Sequence, residues 1–222
     1  MCGRIANTLP KDAMVRLFEA TPGNDLPEGA RHNLCPTEPL AVCISTGGVR
    51  HLQAMRWGFV PHWYKSPSDG PLLINARAET VAQKPAFRAA IRTQRCLIPA
   101  DGFYEWHRAG ESRLPWYISR RDGAPMVFGG VWQDWEQDGL QLRSCAIVTL
   151  AAGPVLAPIH HREPLILERA DWAKWLGEAG HGAARLMVPR PESVLQAWRV
   201  GRAVNSSRAE GETLRAPLIE AG

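Results

Sequence analysis

The first third of the chain changes from a helical pattern of apolar residues to a strand pattern. In the segment LPKDAMVRLFEA, Met14, Leu17 and Phe18 fall on one face of a helix that begins after Pro10. The runs LAVCIST and VRHLQAMRWGFVP then flank Gly47-Gly48. Because glycine adopts positive φ without steric cost, the pattern predicts a short amphipathic helix followed by a β-hairpin.

The middle of the chain predicts one more helix and then a series of strands. The helix is expected from Ala78 to Arg92, interrupted or restarted at Pro85. From Arg95 onward the apolar or alternating runs are RCLIPADGFYEWHR, LPWYISRRDG, PMVFGGVWQDW and LQLRSCAIVTL. Turns that contain glycine, such as RRDGAP and EQDGL, separate these runs, so consecutive hairpins of an antiparallel sheet are predicted.

The last third begins with REPLILERADWAKWLGEAG, which predicts a strand followed by a helix. Four apolar residues of this segment could pack on the sheet: Leu167, Trp172, Trp175 and Leu176. No repeat, low-complexity linker or break in composition divides the chain. The sequence therefore predicts one α+β domain over residues 1–222, with an antiparallel, curled or barrel-like sheet and flanking helices. The polar tail from about Ser206 is expected to be loosely held.

Composition narrows the class of protein. The net charge of +4 comes from 26 Lys and Arg against 22 Asp and Glu, a mild excess that is compatible with an anionic partner. Arginine supplies most of the positive charge and suits bidentate phosphate contacts, although GC-rich codons would also favour arginine. Five cysteines without a C-x-x-C pair indicate neither a disulfide framework nor a zinc ribbon. The start of the chain has no secretory signal pattern and no run reaches the ~18 apolar residues of a membrane span, so a soluble cytoplasmic protein is expected.

Cys2 raises a chemical question. If Met1 is removed, Cys2 carries a free α-amine beside its thiol, a 1,2-aminothiol. An α-amine has a pKa of about 7.7 to 8.0 against about 10.4 for lysine, so a useful fraction is nucleophilic near neutral pH. The alternative is that Cys2 is a small residue on a frayed terminus with no function.

Further candidates lie where polar groups interrupt apolar strands. Glu105, within FYEWH, would point away from Tyr104 and Trp106, and burial there would raise its pKa enough for acid/base work. An ion pair with an arginine is the structural alternative. His160 and His161 would face opposite ways in an extended chain, so one is expected to be solvent-facing, and their spacing does not indicate a metal site.

The segment WGFVPHWYKS presents aromatic residues next to a cation. Aromatic residues in strands usually belong to the core, where Trp57 is placed. Trp63 and Tyr64 follow the Pro-His step and are better candidates for a surface on which unpaired bases stack.

Several of these stretches, in this order, resemble the SRAP family of abasic-site-processing proteins, also called SOS response-associated peptidases. The matching segments are MCGR, WGFVPHW, INARAET, DGFYEW and IHHREPLIL, which together span residues 1–167. RHNLCPT is a further similar segment, with Cys35 where a small non-thiol residue is expected. Glu163 stands where a cation is expected, and the segment from Val204 matches only in part.

The resemblance implies covalent crosslinking to abasic sites in single-stranded DNA, without a metal or an organic cofactor. Cys2 would form a thiazolidine with the opened sugar. Asn75 would orient the N-terminus or the sugar, Glu105 would transfer protons, and His160 would act on the opened sugar oxygen and in reversal. Such a protein is expected to work as a monomer in the cytoplasm, at damaged DNA of the nucleoid.

The resemblance also implies a set of DNA contacts. Arg4, Arg77 and Arg162 would hold the phosphates beside the lesion, and Trp63 with Tyr64 would stack on or separate bases. Two other functions stay open from the residues. One is a hydrolase or thiol peptidase with Cys2 as nucleophile, restricted in one version to removal of its own N-terminal extension. The other is a non-catalytic module that binds single-stranded DNA.

Overall fold

A computed structural model gives the fold of the chain and describes residues 2–23 and 25–219. The strands in this part are β1 Ile5–Asn7, β2 Thr21–Pro22, β3 Arg31–Leu34, β4 Pro39–Thr46, β5 Val49–Trp57, β6 Asn75–Arg77, β7 Arg95–Ala100, β8 Gly102–Ala109, β9 Ser112–Arg120, β10 Met126–Gln137, β11 Leu140–Ala151, β12 Arg162–Pro164 and β13 Leu195–Arg199. The α-helices are α1 Lys11–Phe18, α2 Ala90–Thr93 and α3 Arg169–Leu176. Short 3-10 helices cover Ala183–Leu186, Glu192–Val194, Arg202–Asn205 and Glu212–Arg215.

Five of the strands close into a ring. Antiparallel pairing runs β11-β10-β7-β4-β5, and β5 then pairs in parallel with β11 at Ser144↔Arg56 and Cys145↔Trp57. The long β11 continues beyond this closure, and its last residues lie between β6 on one side and β12 on the other. The result is a small mixed barrel with one strand that extends out of it as a support for two short strands.

A second, antiparallel sheet has the order β13-β9-β8-β1-β3. The first strand of the chain is therefore interior to a sheet, hydrogen-bonded to β8 on one side and β3 on the other. The backbone N–H of Tyr104 also donates to the carbonyl oxygen of Arg4 at 2.9 Å. This pairing fixes the start of the chain in the middle of the fold.

Alternation along the barrel strands divides the apolar side chains between two cores. On β4, Ala41 and Cys43 face the helices, where they pack with Phe18 of α1 and Trp175 of α3. The neighbouring Val42 and Ile44 face the five-stranded sheet and pack with residues such as Phe103. Both faces of the barrel wall are thus buried, which explains why its strands read as continuous apolar runs.

Several predictions from the pattern are confirmed. The antiparallel, barrel-like sheet with flanking helices is present, and α1 buries Met14 and Phe18. The four apolar residues in and before α3 are all buried. Gly47 and Gly48 have φ of 60° and 80°, as the hairpin between β4 and β5 requires.

The strands after Arg95 do not form one meander. The run RCLIPADGFYEWHR breaks at Asp101, where β7 of the barrel ends and β8 of the other sheet begins. There the backbone N–H of Asp101 donates to Ala6 at 2.8 Å, and its carboxylate accepts from both the N–H and the hydroxyl of Thr8. A single polar residue therefore switches the chain between sheets.

The predicted helix from Ala78 to Arg92 is wrong for most of its length. Turns occupy residues 78–89, and only Ala90–Thr93 is α-helical. Pro85 has no N–H and disfavours helical geometry at Lys84, so the helical pattern of apolar residues could not be realised as a continuous helix. No helix in the described ranges has the length and apolarity that crossing a bilayer requires.

The expectation of a loosely held tail is also wrong for the residues up to 219. Leu214 is buried against the five-stranded sheet, and the indole Nε1 of Trp198 donates to the carbonyl oxygen of Arg215 at 2.8 Å. The backbone N–H of Leu218 donates to Arg199 at 2.8 Å. The tail is polar in sequence, but contacts at Leu214, Arg215 and Leu218 hold it against the five-stranded sheet.

Two leucines of the tail test this attachment. Leu214→Ala removes a side chain that is only 5% exposed, so we expect a loss of about 2 to 5 kcal/mol in the free energy of unfolding. Leu218→Ala, at a side chain that is 43% exposed, should change it by less than about 0.5 kcal/mol. Urea denaturation of both variants gives the comparison. Equally small losses would mean that the tail contributes no packing.

Candidate active site

Cys2 lies just before β1 and is completely buried. It packs between the barrel and the five-stranded sheet, in the same core as Ile5 and Ile147. Burial raises the pKa of its thiol well above the ordinary value, and the nearby charge of Glu105 adds to this effect. The backbone N–H of Arg4 hydrogen-bonds to the sulfur and acts in the opposite direction. The thiol is therefore held in its protonated form until a base takes the proton.

Asn75 fixes the backbone of Cys2. It begins β6, opposite Ile147 of β11, and its Nδ2 donates to the carbonyl oxygen of Cys2 at 2.9 Å. The Oδ1 of the same amide is buried and accepts no hydrogen bond from the described part of the chain. An acceptor without a hydrogen bond is unusual for a buried group.

Glu105 lies in the middle of β8, opposite Trp116 of β9, and is only 2% exposed. Burial raises the pKa of its carboxyl above the ordinary value, as predicted. Tyr104, next to it on the strand, is also fully buried. Both faces of β8 are thus covered at this point, the Glu105 side facing Cys2.

His160 comes from the loop between β11 and β12. Its Nδ1 lies 3.8 Å from Oε1 of Glu105 and accepts a hydrogen bond from the backbone N–H of Arg162 at 3.0 Å. The same Nδ1 lies 3.2 Å from the carbonyl oxygen of Arg162, a contact that would suit a proton on Nδ1. The contact with the N–H is shorter, and because a backbone N–H can only donate, it favours the neutral tautomer with its proton on Nε2. Partial burial lowers the pKa of His160, which favours this neutral form. The imidazole is thereby set to donate from Nε2.

The prediction that His160 and His161 face opposite ways is wrong, and the prediction that one of them faces solvent is confirmed. The backbone bends at His161 instead of extending, so the two rings lie side by side, with centroids 4.3 Å apart and planes at 34°. His161 is exposed and His160 is half-buried, as expected of a pair with one solvent-facing member.

A groove of about 710 Å³ begins at Asn75 and passes over the turns that follow β6. Its walls carry Trp63, Tyr64, Arg77 and Lys84. Trp63 is 48% exposed and Arg77 is exposed, while Tyr64 is half-buried. Trp57, by contrast, lies in the core as predicted. The groove combines an exposed aromatic ring with two cations and leads to the amide that holds Cys2.

The other two arginines that the sequence indicated are engaged within the protein. Arg4 donates to Oδ1 of Asn33 at 2.6 Å and to the carbonyl oxygen of Val204 at 2.8 Å, and its guanidinium lies 5.6 Å from the ring centre of Trp106. Asn33 in turn donates to the carbonyl oxygens of Ser206 and Ala209. Arg4 thus ties the start of the chain to residues near its end.

Arg162 is buried and forms a two-pronged ion pair with Glu79, at 2.6 and 2.9 Å. It also donates to the carbonyl oxygen of Thr149 at 2.6 Å. The pair connects β12 with the turn after β6, on either side of the end of β11. Arg162 therefore fixes the distance between β6, which ends at Arg77, and β12, which follows His160.

Sequence reasoning missed Lys84, Asn33 and Thr149. Lys84 lies within the helix that the sequence predicts. The structure has turns there instead, and these turns place Lys84 on the groove wall. Asn33 and Thr149 are buried polar residues inside apolar strand patterns, which is the signal that could have marked them.

Comparison with known proteins identifies the family. The family model described as SOS response associated peptidase (SRAP) matches residues 1–207, so the chain belongs to the SRAP family. Similar curated proteins include Abasic site processing protein YoqW of Bacillus subtilis, 32% identical over 94% of this chain and 96% of that protein. Abasic site processing protein YedK of Escherichia coli is 30% identical over 98% and 100%.

Solved structures show the same fold. A crystal structure of a protein from Bacteroides thetaiotaomicron has a TM-score of 0.87 at 22% identity, covering 98% of this chain and 100% of that one. A second, from Bordetella bronchiseptica, has a TM-score of 0.78 at 26% identity, with coverages of 90% and 100%.

The burial of Glu105 gives a testable dependence of stability on pH. Because the pKa is raised in the folded state, the folded protein keeps this proton to higher pH than the unfolded chain, and stability falls as the pH rises through the interval between the two pKa values. Glu105→Gln lacks this loss. Its Tm should therefore match that of the wild type near pH 4 and exceed it at pH 8. The expected difference is about 2 to 4 °C for each kcal/mol by which the substitution raises the free energy of unfolding.

Glu111→Gln, in the exposed turn between β8 and β9, is the matched control and should shift Tm by less than about 2 °C at either pH. Thermal denaturation at the two pH values decides. A constant difference between Glu105→Gln and the wild type would mean that the Glu105 carboxyl is not destabilised by its surroundings.

Proposed function

We propose that this protein captures abasic sites in single-stranded DNA by forming a thiazolidine between Cys2 and the opened sugar, which shields the lesion. The curated relatives are named abasic site processing proteins, and the family to which the chain belongs supports the same substrate here. Met1 lies outside the described residues, and the reaction requires its removal.

The chemistry follows from an aminothiol and an aldehyde. The α-amine of Cys2 adds to C1′ of the ring-opened sugar and gives a carbinolamine. Protonation of the carbinolamine hydroxyl releases water and leaves an iminium ion. The thiol then adds to the same carbon and loses its proton, which closes a five-membered ring. The sum is one aminothiol and one aldehyde giving one thiazolidine and one water.

Glu105 is suited to both proton transfers. A raised pKa increases the fraction of the Glu105 carboxyl that carries a proton, and this proton can leave with the departing water. The resulting carboxylate can accept the proton of the Cys2 thiol, whose own raised pKa means that it does not ionise unaided. The carboxyl group is regenerated at the end of the cycle.

Asn75 and His160 have positioning and donor roles in this proposal. The amide of Asn75 holds the Cys2 carbonyl and keeps an unused acceptor at the site. The neutral His160 would donate from Nε2 to the oxygen that the sugar ring releases on opening. The same donor would assist reversal of the link.

In this proposal the DNA lies along the groove and approaches Cys2 from Asn75, which lines the groove. Trp63 and Tyr64 would stack on unpaired bases, while Arg77 and Lys84 would contact phosphates. Arg4 and Arg162 remain candidates for phosphate contacts. A phosphate at Arg162 would have to displace Glu79, whose side chain is 51% exposed and can move away. Arg4 would keep its contacts to the tail and use its remaining N–H groups.

The observation that carries the proposal is the hydrogen bond from Asn75 to Cys2 at the end of a cationic, aromatic groove. A thiol hydrolase could use the same Cys2 thiol and Glu105 carboxyl, and the names of the curated relatives favour the abasic-site reaction over it. A purely binding module would need none of the buried ionisable groups.

A denaturing gel with an oligonucleotide that bears one abasic site tests the proposal. The wild type should give a heat-stable shifted band, and Cys2→Ala or capping of the aldehyde should abolish it. Cys2→Ser should lose the stable band as well, because an oxazolidine is a much less stable ring. A shift on native gels alone would support the binding module, and turnover of peptides or amides without a shift would support the hydrolase.

The role of Glu105 predicts a loss of rate without a loss of binding. Glu105→Gln should slow crosslinking by about 10²-fold or more, the range of general acid/base catalysis, because the amide cannot exchange the proton. Affinity for the same DNA on native gels should stay within about twofold, a change of less than about 0.5 kcal/mol. Equal crosslinking rates for the two proteins would remove Glu105 from the mechanism.

The role of Arg77 predicts a change in salt dependence. Arg77→Ala should weaken binding of single-stranded DNA regardless of sequence and reduce the slope of log K against log salt by about 0.7. Arg16→Ala, on the exposed face of α1, is the matched control and should leave the slope unchanged. Fluorescence anisotropy between 50 and 200 mM salt measures both, roughly the range over which such contacts are resolved. Identical slopes for the two variants would exclude Arg77 from the interface.

A further inference from the structure

The loop that carries His160 is closed by β11 and β12. It runs over residues 152–161, and its ends are joined where the N–H of Ala152 donates to the carbonyl oxygen of His161 at 3.1 Å. The ring of His160 lies at the far end of the loop, where its Nδ1 accepts a hydrogen bond from the N–H of Arg162 at 3.0 Å. The near end of the loop consists of Ala152 and Gly153.

Glu163 supplies an attachment at the near end. It lies next to the ion-paired Arg162 on β12 and is only 3% exposed, although a carboxylate is costly to bury. Because successive side chains of a strand point to opposite faces, Arg162 reaches Glu79 while Glu163 turns the other way. Its Oε2 accepts a hydrogen bond from the backbone N–H of Gly153 at 2.7 Å.

A short series of backbone hydrogen bonds connects this contact to His160. The carbonyl oxygen of Gly153 accepts from the N–H groups of Leu156 and Ala157, at 3.1 and 2.9 Å. The carbonyl oxygen of Leu156 then accepts from Ile159 at 2.7 Å and from His160 at 2.8 Å. Two successive turns therefore transmit the position of Gly153 to the backbone of His160.

We propose that Glu163 is a positioning residue for His160, which acts through Gly153 to hold the loop in the form that places the imidazole beside Glu105. This role rests on the function proposed above for His160. A buried carboxylate is costly, and burial raises the pKa of Glu163, while the hydrogen bond from Gly153 opposes that change. An apolar residue of the same length would fill this place at lower cost but would leave the Gly153 N–H without an acceptor.

Imidazole nitrogen NMR tests the positioning without any DNA. The wild type at pH 7.5 should show one set of His160 signals, with Nδ1 unprotonated and Nε2 protonated, assigned by their absence in His160→Ala. Glu163→Gln keeps an oxygen acceptor and should give the same signals. Glu163→Met, an apolar side chain of similar length, should shift the His160 nitrogens toward a mixture of tautomers. Unchanged signals in Glu163→Met would overturn the proposal.

A double-mutant cycle tests the effect on the reaction. Glu163→Met should lower the crosslinking rate at saturating DNA by about tenfold, the size expected for a misplaced group, and Glu163→Gln by less than about twofold. In a His160→Ala background, Glu163→Met should add no further loss, because its effect passes through the imidazole. The same loss in both backgrounds would reveal general destabilisation and would reject the positioning role.

Gly153 offers an independent pair of variants in case Glu163→Met does not fold. Gly153→Pro removes the N–H that donates to Glu163, and it should reproduce the shift of the His160 signals that Glu163→Met causes. Gly153→Ala keeps the N–H, and its Cβ would lie 3.4 Å from Oε2 of Glu163, an ordinary contact, so it should resemble the wild type. Wild-type signals in Gly153→Pro would overturn the proposal. If the wild type forms no crosslink, the proposed function fails and the NMR comparison alone decides the role of Glu163.

Discussion

The hydrogen bond from Asn75 to the carbonyl oxygen of Cys2 joins the two sheets of the molecule at the proposed reactive residue. Asn75 belongs to a strand beside the barrel, and Cys2 leads into β1, an interior strand of the other sheet. The amide can reach Cys2 only because β11 continues past the closure of the barrel and carries β6 with it. The location of the site therefore depends on the length of one strand.

Burial raises the pKa of Cys2 and of Glu105 and lowers that of His160, and in each case this favours the neutral form. The core around Cys2 excludes water, which stabilises the fold through the apolar side chains but disfavours charge on the thiol and on Glu105. The same surroundings keep His160 neutral. Burial thus shifts all three groups toward their neutral forms, which favours the passage of protons among them with little change in net charge.

The sequence predicted local structure well where one pattern dominated. The apolar face of α1, the Gly47-Gly48 turn and the burial of Glu105 between aromatic neighbours all follow from periodicity and turn chemistry. It failed where distant residues decide. The helix after Ala78 gives way to turns around Pro85, and the strands after Arg95 separate into two sheets because Asp101 binds Ala6 and Thr8, about 95 positions earlier. The engagement of Arg162 by Glu79 likewise depends on a pairing that no local pattern contains.

The contact between Arg4 and the carbonyl oxygen of Val204 has a consequence for biosynthesis. The segment that holds Arg4 is synthesised about 200 residues after it, so this contact forms only when that segment has left the ribosome. An exopeptidase that trims the first residue can therefore act while the start of the chain still lacks its partners from the tail.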